Sequence, residues 1–247
     1  MKNDAAPLAV AFDVDETLVS TGGAGAKSWR RGFEKLWSVD ADISKFTHGG
    51  MTDPEVGRLT FKGVMKREPK PKELAQLMHS YLQFLPEEVA NSKGYHVLPG
   101  AEDLLLRMIE AGILVGITSG AVEAATHIKL ARAGLNQYFS FGGFGSDSTD
   151  RGELTRTAIR RASVVMGSPV DPARVCVVGD TPMDIDAAHA AGAIGIGVAT
   201  GKFDTGQLKQ AGADHVLKSL TDPFPGLVPA ASARSGSSPA GPTRRSR

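Results

Sequence analysis

Short apolar runs alternate with amphipathic segments along most of the chain. Apolar runs bounded by glycine and polar residues are typical of buried strands. These runs lie at Leu8–Val14, Ile113–Thr118, Phe139–Gly145, Arg174–Gly179, Ile194–Val198 and His215–Leu217. Segments with helical spacing of apolar residues lie between most of them, at Ala101–Ala111, Ala121–Ala133, Glu153–Met166 and Asp184–Ala191. Strands alternating with helices through short connections predict an α/β fold with a doubly wound, mainly parallel sheet.

The region between the first run and Ala101 breaks this alternation. It contains no obvious strand but three helical patterns, at Ala26–Trp37, Pro54–Lys66 and Lys72–Ala90. An insertion of this length predicts a second, helical domain rather than a loop. We therefore predict a core domain of residues 1–20 and 97–224 and an inserted domain of residues 21–96. The glycine-containing segments Gly22–Gly25 and Gly94–Gly100 are the expected hinges.

The C-terminal segment differs in composition from the rest of the chain. Residues 225–247 are rich in serine, proline, glycine and arginine and show no apolar periodicity. A segment that cannot bury apolar surface does not offset the entropy of ordering. We predict a disordered, basic tail.

Composition narrows the function classes. The 247 residues carry a net charge of +1, which argues against a dedicated nucleic-acid binder. Cys176 is the one cysteine, which excludes a disulfide framework, and its apolar neighbours predict a buried strand thiol. The sequence shows no apolar stretch of membrane-spanning length and no signal-peptide pattern, so we expect a cytoplasmic protein. Monomer and homodimer are equally compatible with the pattern.

Carboxylates follow two of the predicted strands. Asp13 and Asp15 end the first apolar run, and Asp180 ends the run that contains Cys176, with Asp184 four residues further on. Ligands of open α/β sheets bind at the carboxyl ends of strands. Carboxylates converging there repel one another unless a cation lies among them, and hard oxygen ligands favour Mg²⁺. The alternative is that these residues only cap the segments that follow, as a carboxylate at Asp184 suits a helix N-terminus.

Hydroxyl groups and an arginine follow two other strands. Thr118, Ser119 and Gly120 end one run, and a hydroxyl with backbone N–H groups at a helix start can hold a phosphate. The same residues also fit an ordinary turn. Arg151 follows the run at Phe139–Gly145 and could neutralise substrate charge, or pair at the surface with Asp150 or Glu153.

Together these four motifs resemble the haloacid dehalogenase-like (HAD) superfamily, in particular its phosphoglycolate phosphatase-like branch, over about residues 8–220. The motifs stand in the family's order, each after a strand, and the insertion lies where that branch has its helical cap. Thr21–Gly25 and Phe141–Asp147 also look like one bacterial subgroup of it. The resemblance implies a Rossmann-like HAD core with a helical cap domain.

The resemblance also implies a role for each motif residue. Asp13 is then the nucleophile that forms an aspartyl-phosphate, and Asp15 is the acid that protonates the leaving oxygen and later activates water. The residues implied to bind the phosphate are Thr17, Ser119, Gly120 and Arg151, with Ser119 and Arg151 also in catalysis. The residues implied to bind Mg²⁺ are Asp13, Asp15 through its backbone carbonyl, Asp180 and Asp184.

Several positions depart from the family pattern. Glu16 stands where the family has glycine, Ala121 where the branch commonly has asparagine, and Met51 where it often has arginine. Arg151 stands where lysine is more usual, and Thr118 remains an alternative to Ser119 as the phosphate-binding hydroxyl. The basic residues of the insertion could face either substrate or solvent; they are Lys27, Arg30, Arg31 and Arg58.

The expected function is that of a Mg²⁺-dependent phosphatase for a small phosphorylated metabolite, such as phosphoglycolate, a sugar phosphate or a nucleotide monophosphate. A sugar-phosphate mutase on the same fold and a catalytically impaired metabolite-binding relative are the alternatives. Asp15 argues against a dehalogenase, which needs no leaving-group acid, and it also favours an ester over a phosphonate. The insertion argues against a small phosphoacceptor signalling domain.

Overall fold

The computed structural model describes residues 6–227 and is built around a six-stranded parallel sheet. In spatial order its strands are β5 (Phe141–Phe144), β4 (Leu114–Ser119), β1 (Ala9–Phe12), β6 (Val175–Gly179), β7 (Ile194–Val198) and β8 (His215–Leu217). The helices that flank this sheet are α4 (Ala101–Glu110), α5 (Glu123–Ala131), α6 (Arg151–Met166), α7 (Pro182–Ala190) and α8 (Thr205–Gln210). The predicted α/β fold with a doubly wound parallel sheet is confirmed.

The central strand β1 places the strand ends side by side. Its last residue, Phe12, pairs with Ile117 of β4 on one side and with Val178 of β6 on the other. The N–H of Asp13 continues the ladder by donating to the carbonyl of Val178 at 2.8 Å. Strand order runs outward in both directions from β1, which makes its carboxyl end the switch point where ligands of such sheets bind.

Alternation along β1 divides the core into two apolar clusters. Val10 and Phe12 face a cluster that includes Leu105 and Met108 of α4, while Ala9 and Ala11 face a cluster with α6 and α7. The side-chain period of two along a strand produces this division. Cys176 is buried in the first cluster, as predicted for a strand thiol.

The inserted region consists of three helices and a short antiparallel strand pair. The helices are α1 (Ala24–Trp37), α2 (Asp53–Met65) and α3 (Pro71–Asn91), and the strands are β2 (Val19–Ser20) and β3 (His96–Val97). We refer to residues 21–96 as the cap; β2 lies just before it and β3 spans its C-terminal end. The strand pair was not predicted, because two-residue strands are too short to show an alternating pattern. Short 3₁₀ helices lie at Ile43–Lys45, Leu135–Tyr138 and Pro172–Arg174.

The cap has an apolar cluster of its own. Trp29 of α1 stacks on Tyr81 of α3 with ring centroids 4.2 Å apart, and Phe33 and Phe61 are buried beside them. Ala121, Val122 and Ala125 of the core belong to the same cluster, so the cap packs directly on the start of α5. The domain bounds drawn from the sequence remain a prediction.

The two connections to the cap meet at a glycine pair. A Cβ on Gly22 would lie 2.5 Å from the carbonyl carbon of Gly94, and Gly22 has a positive φ of 59°. Only glycine allows the backbones to approach so closely.

The predicted tail falls partly inside the core. Leu227, within the predicted tail of residues 225–247, is buried in the first core cluster. Residues 228–247, the remainder of the predicted tail, lie outside the described residues. Within residues 6–227, no helix is both long and apolar enough to cross a membrane.

Candidate active site

Three carboxylates meet at the carboxyl ends of β1 and β6. Asp13 follows β1, Asp180 follows β6, and Asp184 lies in the first turn of α7. Each is buried, and each offers one oxygen within 4.8 Å of those of the other two. The convergence predicted from the strand ends therefore occurs, and simple capping of separate segments does not account for it.

Asp184 also closes the loop that carries Asp180. Its carboxylate accepts hydrogen bonds from the backbone N–H of Thr181 at 3.1 Å and from the Thr181 hydroxyl at 2.7 Å. Thr181 and Asp184 thus form a capping box, which fixes the turn between β6 and α7. The capping alternative for Asp184 is correct, but it coexists with a place in the carboxylate cluster.

Burial makes two of these carboxylates, Asp13 and Asp180, harder to ionise. It raises the pKa of Asp13 to about 6 and, with the nearby Asp13 charge, that of Asp180 to about 8. Desolvation and like-charge repulsion both disfavour the charged form. Positive charge beside Asp13 and Asp180 would therefore favour their ionised forms, most of all for Asp180.

The donor set fits a divalent cation. Asp13, Asp180 and Asp184 supply hard oxygen ligands, which suit Mg²⁺, and His or Cys is absent from this cluster. The Asp15 side chain is not part of this cluster, and its backbone carbonyl as a ligand remains a prediction.

Arg151 is a second source of positive charge. It begins α6, is buried, contacts Asp184, and has one guanidinium nitrogen 3.9 Å from Asp13 Oδ1. Burial lowers its pKa, and the charges of Asp13 and Asp180 oppose that effect. The alternative of a surface pair with Asp150 or Glu153 is wrong, because Arg151 points into the site.

The hydroxyl residues predicted to bind phosphate differ in whether they reach the cavity. Ser119 lines the cavity described below, together with Gly120, and its Oγ accepts from the backbone N–H of Ala121 at 3.3 Å. Thr118 and Thr17 have buried hydroxyls without a partner among the described residues and do not line the cavity. This placement favours Ser119 over Thr118 and does not bring Thr17 to the expected phosphate position.

A cavity of about 350 Å³ lies between the carboxylate cluster and the cap. From the core, the cluster residues Asp13 and Asp180 line this cavity. The other core residues that line it are Asp15, Glu16, Ser119, Gly120, Ala121, Lys129, Arg151, Thr181, Lys202 and Phe203. The cap lines it with His48, Gly49, Gly50, Met51 and Asp53. A shallower depression of about 410 Å³ beside β5 contains none of the strand-end carboxylates.

Glu16 has a backbone conformation that glycine adopts easily. Its φ of 58° is in the left-handed region, which is costly for a residue with a side chain. Its carboxylate accepts from Ser20 Oγ at 2.8 Å, and its carbonyl accepts from Thr200 Oγ1 at 2.6 Å. These contacts hold the loop in place although the residue is strained.

The structure adds two site residues that sequence reasoning missed. Lys129 of α5 is buried and its Nζ donates to Asp15 Oδ2 at 2.5 Å. Asp53 of the cap is buried and accepts from the Val122 N–H at 2.9 Å. Lys129 had a signal, because it shares the buried face of α5 with Ala125. No sequence signal marked Asp53 as a site residue, since an acidic residue next to a proline is common at the start of a helix.

The basic residues of the cap point away from the cavity. Arg30 pairs with Asp40, Arg31 with Glu87 and Glu88, and Arg58 with Glu55 and Glu68. Lys27 does not line the cavity either. Of the cap positions singled out from the sequence, Met51 alone is among the lining residues.

Fold and site define a class of protein. The model of the haloacid dehalogenase-like hydrolase family matches residues 7–192, so the chain belongs to this family. The resemblance drawn from the four motifs is thereby confirmed.

Several relatives of known sequence are named as phosphatases. The chain is 28% identical to 2-deoxyglucose-6-phosphate phosphatase 1 of Saccharomyces cerevisiae, over 85% of this chain and 87% of that protein. It is 28% identical to the phosphoglycolate phosphatase of Neisseria meningitidis, over 90% of this chain and 94% of that protein. A crystal structure of a predicted phosphoglycolate phosphatase from Haemophilus somnus has the same fold, with a TM-score of 0.70, 17% identity and coverage of 90% and 97%. The expected enzyme class, a phosphatase of the branch that includes phosphoglycolate phosphatases, agrees with these relatives.

Proposed function

We propose that the protein is a Mg²⁺-dependent phosphatase that hydrolyses a small phosphorylated metabolite through an aspartyl-phosphate on Asp13. One observation carries the proposal: Asp13 lies at the switch point with Arg151, Asp180 and Asp184 around it and a cavity in front of it. Mg²⁺, when bound by Asp13, Asp180, Asp184 and the Asp15 carbonyl, would offset the negative charge of the carboxylates and the phosphate.

Hydrolysis of the phosphate ester then proceeds in two displacements, first by Asp13 and then by water. The Asp13 carboxylate attacks phosphorus while Arg151 and Ser119, with the N–H groups after it, hold the phosphoryl oxygens. Asp15 gives its proton to the leaving oxygen and then takes one from the water that attacks the aspartyl-phosphate. The closed cap excludes other water from the cavity during these steps.

The cavity favours a substrate whose leaving group carries no second strong negative charge. The cap contributes no arginine or lysine to the lining; the lysines that line the cavity, Lys129 and Lys202, belong to the core, and Lys129 is paired with Asp15. Glu16 and Asp53 would repel a carboxylate or a second phosphate, while a hydroxylated leaving group can bond to His48 or Glu16. A sugar or polyol phosphate, as in the name of the yeast relative, fits better than phosphoglycolate, as in the name of the Neisseria relative.

The test is phosphate release from a panel of sugar phosphates, phosphoglycolate and nucleotide monophosphates, with and without Mg²⁺. We expect turnover that requires Mg²⁺, is lost in Asp13→Asn and is retained in Asp186→Asn, a change at an exposed position of α7. Full activity of Asp13→Asn would exclude the nucleophile assignment. A best rate with phosphoglycolate would exclude the preference for an uncharged leaving group.

A catalytically impaired, metabolite-binding protein is the second candidate, and the strained Glu16 favours it. In that case the folded protein would bind phosphate without turning over any member of the panel. Glu16→Gly would then restore Mg²⁺-dependent turnover. A sugar-phosphate mutase is less compatible, because the cap offers no arginine or lysine for the second phosphate of a bisphosphate intermediate. Product analysis with a hexose 1-phosphate distinguishes the isomer from free phosphate.

A further inference from the structure

Lys129 is a charged residue in an apolar position. It lies on the face of α5 that also carries Ala125, Thr126 and Leu130, and it is 5% exposed. A buried ammonium group is costly unless it is paired and hydrogen-bonded. Its partner is the carboxylate of Asp15, 114 positions earlier in the chain, at 2.5 Å.

Asp15 depends on this contact for its orientation. Its side chain is 42% exposed toward the cavity, and Lys129 is the hydrogen-bond partner that the described residues give its carboxylate. A carboxylate that must reach the leaving oxygen of a bound substrate needs a fixed direction, since small displacements reduce rates strongly. One oxygen held by Lys129 leaves the other free to carry the proton.

The helix that carries Lys129 is held by the cap at both ends. At its start, Asp53 of α2 accepts from the Val122 N–H at 2.9 Å. Near its end, the hydroxyl of Tyr95, within the expected hinge Gly94–Gly100, donates to the carbonyl of Lys129 itself at 2.7 Å. Arg132 lies over the Tyr95 ring and donates to the carbonyls of Val89 and Ser92, at the end of α3, at 2.6 and 2.8 Å.

A cap carboxylate also faces the ammonium. Asp53 of α2 interacts electrostatically with Lys129 from the cap side, while Asp15 holds it from the core side. Lys129 therefore lies at the interface between the cap and the candidate active site.

We propose that Lys129 is a positioning residue for Asp15: its ammonium fixes the acid–base carboxylate, and the docked cap holds α5 and thereby Lys129 in place. This inference rests on the proposed phosphatase function. Lys129 acts through Asp15 and does not bind the transferred phosphoryl group, which Arg151 and Ser119 hold.

Leaving groups of different acidity test the proposal. An alkyl phosphate needs a proton on its leaving oxygen, whereas 2,4-dinitrophenyl phosphate releases a stable phenolate without one. For Lys129→Met we expect kcat for the alkyl phosphate to fall about 10²-fold, within the usual range for an acid–base group. The initial burst of dinitrophenolate, which reports attack by Asp13, should change less than threefold. KM and inhibition by inorganic phosphate should also change less than threefold.

A double-mutant cycle with Asp15→Asn supplies the second readout. If Lys129 acts through Asp15, then Lys129→Met should not slow the Asp15→Asn enzyme further on the alkyl phosphate. Lys129→Arg, which keeps the charge, should recover part of the lost rate. A burst slowed as much as alkyl turnover, weaker phosphate inhibition, or additive effects in the cycle would each overturn the proposal.

Folding is monitored by thermal unfolding of every variant. If Lys129→Met does not fold, Lys129→Gln takes its place in the same measurements, and failure of both to fold would show a structural role and overturn the proposal. An inactive wild-type enzyme would instead refute the proposed function, so the two failures are distinguishable.

Discussion

The carboxylate of Asp53, on the cap, accepts a hydrogen bond from the backbone N–H of Val122, on the core, at 2.9 Å. The backbone N–H of Asp53 in turn donates to the carbonyl of Gly120 at 2.8 Å. Gly120 follows Ser119, so this two-way contact ties the cap to the loop proposed to bind phosphate. Cap docking and the shape of that loop are therefore linked.

Removing the Asp53 carboxylate should loosen the docked cap. Asp53→Ala leaves the buried Val122 N–H without an acceptor, at a cost of about 1–3 kcal/mol. We expect KM to rise about tenfold, together with a lower melting temperature. Asp53→Asn keeps an acceptor oxygen and serves as the matched control; equal KM values for the two variants would show that this hydrogen bond does not matter for closure.

Asp53 should also make stability depend on pH. Burial raises its pKa from 3.8 to about 6, against the opposing effects of Lys129 and the Val122 N–H. The folded protein therefore keeps the proton to higher pH than the unfolded chain, and this group lowers stability as pH rises from about 4 to about 6. Relative to wild type, Asp53→Asn should gain roughly 1 kcal/mol between pH 5 and pH 7.

Urea unfolding at the two pH values measures this difference. Asp103→Asn, at an exposed position of α4, is the control and should shift little relative to wild type. A fall in the stability of Asp53→Asn relative to wild type with rising pH would contradict the prediction, because its sign would be reversed.

Arg151 should stabilise the site mainly when no metal is bound. Arg151→Met leaves Asp184 and Asp13 buried without their cation, and breaking a buried pair typically costs about 3–5 kcal/mol. We expect a large fall in melting temperature without Mg²⁺ and a smaller one with it. Arg156→Met, which removes a partly exposed pair with Glu153, should change stability by less than about 1 kcal/mol. A loss that Mg²⁺ leaves unchanged would count against a metal site here.

Asp180 should determine metal affinity. Asp180→Asn removes a charged ligand from the cluster of Asp13, Asp180 and Asp184, and we expect Mg²⁺ binding to weaken at least tenfold in calorimetry. Asp186→Asn, two residues beyond the cluster and exposed, is expected to bind as wild type does. Unchanged affinity in Asp180→Asn would move the metal site away from β6.

Two glycines near the cap hinge should respond in opposite directions to alanine. Gly22→Ala places a methyl group 2.5 Å from Gly94 and forces a positive φ, so we expect a loss of about 1–3 kcal/mol. Gly25→Ala lies within α1 with no atom within 4 Å of the new methyl, and should gain up to about 1 kcal/mol. Thermal unfolding distinguishes the two; a stable Gly22→Ala protein would show that the linkers can separate without cost.

The sequence alone predicted most of the core and the convergence of its carboxylates. The apolar runs ending in Asp13 and Asp180 are local signals, and a parallel sheet brings the carboxyl ends of all its strands to one edge. The short strands β2 and β3 and the six-residue helix α8 were missed, since segments of that length show no periodicity. The catalytic and metal-binding roles of the site residues remain predictions that rest on the family resemblance.

The sequence by itself determined the α/β core, the inserted helices and the strand-end position of the site, because each follows from local patterns of apolar and polar residues. Only the tertiary structure decided that Arg151 turns inward, that Thr17 stays away from the cavity and that Lys129 holds Asp15. Lys129 and Asp15 are 114 positions apart, and Asp53 and Val122 are 69 apart. Contacts over such separations arise from how the cap docks on the sheet, about which the spacing of residues along the chain carries no information.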